Sequence, residues 1–261
     1  MKLKRYAIRA FGALAASALI GATLAPFPAS AAVTSIKTSS TVLDAALKLF
    51  GNPVDFGPEL PASGAAPPAY NVNDSAGSFG TTVPPFSFST GVLVDTASGD
   101  TATAAGTASS SLASLSITAD TFFTLTATAV SSTSSVDGTP SATGSSTLAD
   151  LVITVLGSSI NIPLNPSPND VIFDSFGVKV TLNEQIPEVG GGSFAAGIIT
   201  TAIAIDFSDS PEVTGRIDIA QSMASISEAA VPETSTWAMM ALGFAGLAFA
   251  YRRAQKVATI G

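Results

Sequence analysis

Apolar and polar residues alternate with period two along several stretches of this chain, the pattern of a half-buried β-strand. From Thr121 to Val130, Phe123, Leu125, Ala127 and Ala129 share one face, with Phe122, Thr124, Thr126 and Thr128 on the other. From Val178 to Leu182, Val178, Val180 and Leu182 oppose Lys179 and Thr181. From Ile199 to Phe207, the face is Ile199, Thr201, Ile203, Ile205 and Phe207. From Arg216 to Met223, Ile217 and Ile219 alternate with Arg216, Asp218 and Ala220. Leu151 to Leu156 is apolar on both faces and reads as a central strand; Val92 to Val94 and Leu112 to Ile117 read as shorter ones. About seven to ten such strands predict a mainly β domain, an antiparallel sandwich or barrel-like body with one wet face. One helix is expected early, where Leu43, Ala46, Leu47 and Phe50 recur at helical spacing, with Gly51 as its stop and Pro53 beyond. Residues 52–85, rich in Pro, Gly and Ala, read as an extended loop. Ser131 to Ser146 reads as a long hairpin loop.

Two segments break this pattern. At the N-terminus, Lys2, Lys4, Arg5 and Arg9 lead into an uncharged run from Ala10 to Leu24, followed by Ala29-Ser30-Ala31. That is the order of a secretory signal peptide, cleaved after Ala31. The run is too short for a comfortable span of about 20 residues. At the C-terminus, Thr234 to Tyr251 is uncharged and framed by Trp237 and Tyr251, with Arg252 and Arg253 beyond. Interfacial aromatics and a basic flank predict a transmembrane helix at about 236–251 with its tail on the cytoplasmic side. The expected organisation is therefore signal peptide 1–31, exported β body 32–230 and tail 231–261.

Charge sharpens the division. The chain carries 11 basic and 19 acidic residues, a net charge of −8. The body keeps only Lys37, Lys48, Lys179 and Arg216 against 18 acids, a formal charge of −14. Such a surface is a poor nucleic-acid partner, because phosphate contacts need Lys and Arg. There is no Cys and no His, so disulfides, thiolate or imidazole metal sites and a Ser-His-Asp triad are excluded. No Gly-x-Ser-x-Gly elbow and no P-loop occurs. A glycosidase needs paired carboxylates and sugar platforms, yet the body has no Trp and only Tyr70. These features point away from an enzyme, and no cofactor is implied.

Two oxygen-rich clusters are candidates for calcium, Asp206, Asp209 and Glu212, and Asn71, Asn73 and Asp74. Neither matches an EF-hand loop, and acids at turns ordinarily serve solubility. Asp170 and Asp174 take the same reading. Thr124, Thr126 and Thr128, and Thr101 with Thr103, set hydroxyls about 6.8 Å apart along a strand. Ordered surfaces such as ice are bound by several such ranks in register, and the sequence displays one.

The tail resembles the PEP-CTERM sorting signal in its Trp-Ala-containing variant. Val231-Pro232-Glu233, Trp237-Ala238, the Gly-rich apolar run and Arg252-Arg253 carry the resemblance; Thr234 stands where the signal has its second Pro. The resemblance implies an exosortase substrate in a Gram-negative envelope. It implies an inner-membrane intermediate held by the C-terminal helix, cleavage near Pro232-Glu233, and release or attachment at the cell surface or in an exopolysaccharide matrix. Signal peptidase and exosortase are the implied processing partners. The body is also similar to bacterial surface domains of the choice-of-anchor type, the P group among them. That similarity runs from Thr143-Gly144-Ser145-Ser146 through Leu148 to Leu156, Pro163 to Asn169 and Phe176 to Gln185. It continues through Ile198 to Phe207 and Gly215 to Ser225. It implies a displayed β domain and no chemistry. A structural or adhesive role is expected, with a glycan- or calcium-binding module as the alternative.

Overall fold

The alternation read from the sequence is built into sixteen strands among the residues described by a computed structural model. Those residues are 32–49, 51–119, 123–139, 141–155, 157–162, 165–188, 195–208, 213–229, 239–248 and 251. The strands are β1 (Val33–Leu49), β2 (Asn52–Glu59), β3 (Ala62–Ala66), β4 (Tyr70–Ala76), β5 (Phe79–Val83) and β6 (Phe86–Thr90). Next come β7 (Leu93–Asp100), β8 (Ala105–Ala119), β9 (Phe123–Asp137), β10 (Ser141–Ala149) and β11 (Val152–Val155). The last are β12 (Ser158–Asn161), β13 (Asp170–Ser175), β14 (Val178–Pro187), β15 (Ala195–Phe207) and β16 (Val213–Glu228). They lie in one compact unit, Ala32–Ala229.

The other unit comprises Met1–Ala31 and Ala230–Gly261. Its described residues, 239–248 and 251, are helical. No helix among the described residues is long and apolar enough to cross a membrane. The rest of the expected span, the cleavage residues Ala29 and Ala31, and Val231, Pro232, Glu233, Trp237, Arg252 and Arg253 lie outside the described residues.

The body is mainly β, with two antiparallel sheets. The seven-stranded sheet runs β13-β14-β15-β16-β1-β2, with β3 also on β1. The nine-stranded sheet runs β12-β11-β9-β8-β6-β5, with β10 on β9 and β4-β7 on β8. Several short strands are halves of longer ones. β2 and β3 follow one another along β1, β6 and β7 along β8, and β10 and β11 along β9. The first and last strands are neighbours, with Val33 opposite Glu228 and the Ala229 N–H donating to the Ala32 carbonyl at 2.8 Å.

The strands break or invert along one row in each sheet. Leu60, Ala220 and Asn183 mark the row in the smaller sheet, and Ser114 and Asp150 the row in the larger; all five have φ between 47° and 57°. A non-glycine residue in this region costs about 1–2 kcal/mol. In exchange the strand bends and its side chains change faces. In β8 the buried residues are Ala108, Ser110 and Leu112 before Ser114, then Leu115, Ile117 and Ala119 after it.

A layer of buried small polar residues divides the interior. On one side lies a large apolar cluster that includes Leu43, Leu47, Ile117, Leu125, Ile203, Ile205 and Ile217, with Phe86 and Phe207 edge to face at 5.5 Å. On the other a small cluster contains Ile36, Ala66, Val136, Ala224 and Ile226. Small residues line this side. A Cβ on Gly144 would collide with Thr200 Oγ1, so Gly permits close approach of β10 and β15.

Several expectations need correction. Residues 43–49 are strand, not helix: Leu43, Ala45, Leu47 and Leu49 are buried while Ala46 is exposed. Leu43 and Leu47 satisfy both periods, and pairing with β16 and β2 decides for the strand. Residues 52–85 are not a loop; they contain β2, β3, β4 and β5. Pro53 is tolerated because β2 pairs only with β1 and lies at an edge. Residues 131–146 form the paired arms of β9 and β10, not a hairpin loop. Thr101 and Thr103 lie in a turn. Ala129 is exposed, Ala220 is buried beside Ile219, and Val152 and Thr154 of β11 are only half-buried.

Candidate functional site

The outer face of the nine-stranded sheet is built from β-formers whose hydroxyls turn outward. Register pairs join them into transverse ranks. One rank crosses six strands through Ser159, Thr154, Thr124, Thr118, Ser87 and Thr82. Beyond the inversion, a second runs through Ser145, Thr133, Ser109, Thr96 and Asn73. A third runs through Thr143, Ser135, Thr107, Ser98 and Asn71. Neighbours in a rank are about 4.8 Å apart, and the second and third ranks, two residues apart along each strand, roughly 6.8 Å. The hydroxyls read from the sequence, Thr124, Thr126 and Thr128, run along β9; the ranks run across the strands, and of those three only Thr124 belongs to one.

Many of these hydroxyls steady one another. Ser131 and Thr147 lie 2.6 Å apart, Ser135 and Thr143 2.8 Å, and Thr154 and Ser159 3.1 Å. None of the residues in the three ranks is charged, in a body of formal charge −14. A hydroxyl both donates and accepts, so such a face complements neutral hydroxylated ligands.

The outer face of the other sheet is ionic. Arg216 on β16 donates from Nε to Asp218 Oδ1 and Oδ2 at 2.8 and 3.0 Å, from Nη1 to Asp206 at 3.4 Å, and to Glu184. Burial works against the Arg216 charge, but Asp218 and Glu184 outweigh it and raise its pKa. Burial raises the pKa of Asp218; Arg216 opposes this, while Glu184 and Asp44 add to it. The calcium candidate Asp206 is thus occupied by a guanidinium, and Asp209 and Glu212 lie outside the described residues. Asn71 and Asn73 face outward in their ranks on β4, while Asp74 alternates to the other side, opposite Asp95. Among the described residues no group of three acids is placed to hold a metal ion.

Between the two apolar clusters runs a buried polar seam that sequence reading missed. Asp95, Ser110 and Ser132 follow one another in register across β7, β8 and β9. Ser40, Ser222 and Thr200 do so on β1, β16 and β15. All six are at most 2% exposed. Ser132 Oγ lies 3.0 Å from Ser222 Oγ, and Ser134 Oγ 2.9 Å from Thr200 Oγ1. One signal was present in the sequence: Asp95 shares the phase of Leu93 and Ala97, an acid in an apolar alternation.

Comparison with family models, with curated proteins and with solved structures finds no match to this chain.

Proposed function

We propose that this chain is an exported cell-surface or extracellular-matrix protein, sorted by its PEP-CTERM-like tail, with a structural or adhesive and non-enzymatic role. The body is read as a sandwich whose hydroxylated face rests against a neutral exopolysaccharide. The observation that carries the reading is the set of uncharged ranks on the nine-stranded sheet. A polyanionic polymer is disfavoured by the acidic body, and aromatic sugar platforms are scarce, so many weak hydroxyl contacts replace a few strong ones. Sheets twist by about 20–25° per strand, which suits a flexible chain better than a rigid planar lattice. The N-terminal signal supplies passage through the membrane, and the tail supplies processing and display.

Co-sedimentation of the full chain with purified neutral exopolysaccharide tests this reading. Saturable binding that is lost on Thr133→Lys and Ser109→Lys supports it. Absence of binding, or binding untouched by those substitutions, overturns the role of the face. Inhibition of ice growth without polysaccharide binding would reassign the ranks to a water lattice.

A further inference from the structure

Asp95 lies at one end of the buried seam. It is fully buried, and neither carboxyl oxygen makes a hydrogen bond. The hydroxyls that flank it are engaged elsewhere. Ser110 donates to the Thr41 carbonyl at 3.1 Å, and Ser40 to the Thr96 carbonyl at 3.2 Å. No cation faces it. Lys37, Asp44 and Lys48 of β1 are exposed on the opposite side of that strand, and β3 and β8 contain no charged residue. The charged neighbour is Asp74, in register on β4, and it repels a second anion. The remaining titratable group at this corner is Tyr70. Its ring fills the space left by Gly99, and its hydroxyl lies 2.7 Å from Thr38 Oγ1.

Among the described residues a carboxylate in this position has no counter-ion, and the nearby hydroxyls are directed at carbonyls, so it must either hold a proton or meet water. Burial pushes the acid up to about 7; Ser110, Ser40 and the Val42 N–H pull the other way, and Asp74 adds to the rise. Beside Asp95 lies β4, which pairs only with β7 and is exposed at Asn71, Asn73, Asp74 and Ser75. Such a margin, with little buried apolar surface, opens at the least cost.

We propose that Asp95 is a pH-sensitive latch: protonated, it holds the β4–β7 margin against β1, and ionised, it releases that margin to water. The latch is closed in acid and loosens through neutrality. With an ordinary carboxyl pKa in the open form, the open population rises roughly 10²-fold between pH 5 and 8.

Amide hydrogen exchange of the full chain at pH 5 to 8, corrected for intrinsic exchange rates, tests the latch. Protection in β4 and β7 should fall by roughly 10²-fold while β15 keeps its protection. The neutral isostere Asp95→Asn should remove the pH step. Asp74→Asn leaves the seam intact, and should move the midpoint to lower pH by removing the repelling charge. Protection in β4 and β7 that does not change with pH, a step that persists in Asp95→Asn, or an equal loss in β15 would overturn the proposal. So would an unmoved midpoint in Asp74→Asn.

Discussion

Ser134 on β9 and Thr200 on β15 join the two sheets through a hydroxyl contact of 2.9 Å inside the body. Ser134 Oγ also lies 2.9 Å from the Ser222 carbonyl. Both sheets therefore meet through bonded hydroxyls where a sandwich ordinarily meets through aliphatic side chains.

Ser134→Ala removes this cross-link and leaves Thr200 short of a partner in a buried layer. The expected loss is about 1–3 kcal/mol, the cost of an unsatisfied buried polar group. Adding Thr200→Val removes both partners, so the double variant should lose less than the sum of the two single changes. Urea denaturation midpoints check both statements.

Arg216→Met leaves Glu184, Asp206 and Asp218 facing one another without their shared cation. The side chain is 32% exposed, so solvent tempers the effect, and a loss of about 1–3 kcal/mol at pH 7 is expected. The deficit should shrink as pH falls, because Asp218, whose carboxyl burial already pushes up, takes up a proton and ceases to repel its neighbours. It should also shrink in high salt. Urea midpoints at pH 7 and pH 4, each at two ionic strengths, measure this.

Asp95 sets the opposite slope. Its folded pKa of about 7 lies above its ordinary value of 3.8, so the folded state holds the proton more tightly. The resulting stability is fully present below about 4, is lost as pH rises towards 7, and is gone above that. At ~1.4 kcal/mol per unit the loss is at most about 4 kcal/mol. Melting temperature should fall between pH 5 and 8 in the natural chain, and Asp95→Asn should flatten that fall.

How far the sequence could be read depended on the contrast between faces. The first half of β14 and most of β15 combine aliphatic inward positions with strong β-formers, and Val178 to Leu182 and Ile199 to Phe207 were legible as strands. β8, β9 and β10 place Ser and Thr on both faces. Ser132 and Ser134 point into the seam while Ser131, Thr133 and Ser135 point out, and hydropathy has no means of separating them. The inversions add a second obstacle. A left-handed residue at Ala220 buries it next to Ile219, so a strict period of two assigns one of them to the wrong face. The hydroxyl ranks were hidden for a related reason. A rank is a property of register across five or six strands, and each strand alone contributes one unremarkable Ser or Thr.

The pairing of β1 with β16 has a mechanical consequence. β16 is bonded along its length to β1 on one side and β15 on the other. Tension applied at its C-terminal end runs along the strand axis. The rungs of both ladders then share the load in shear instead of opening one at a time. Because Ala32 lies beside Ala229, a load entering β16 passes directly to β1, and the first and last strands of the body brace each other.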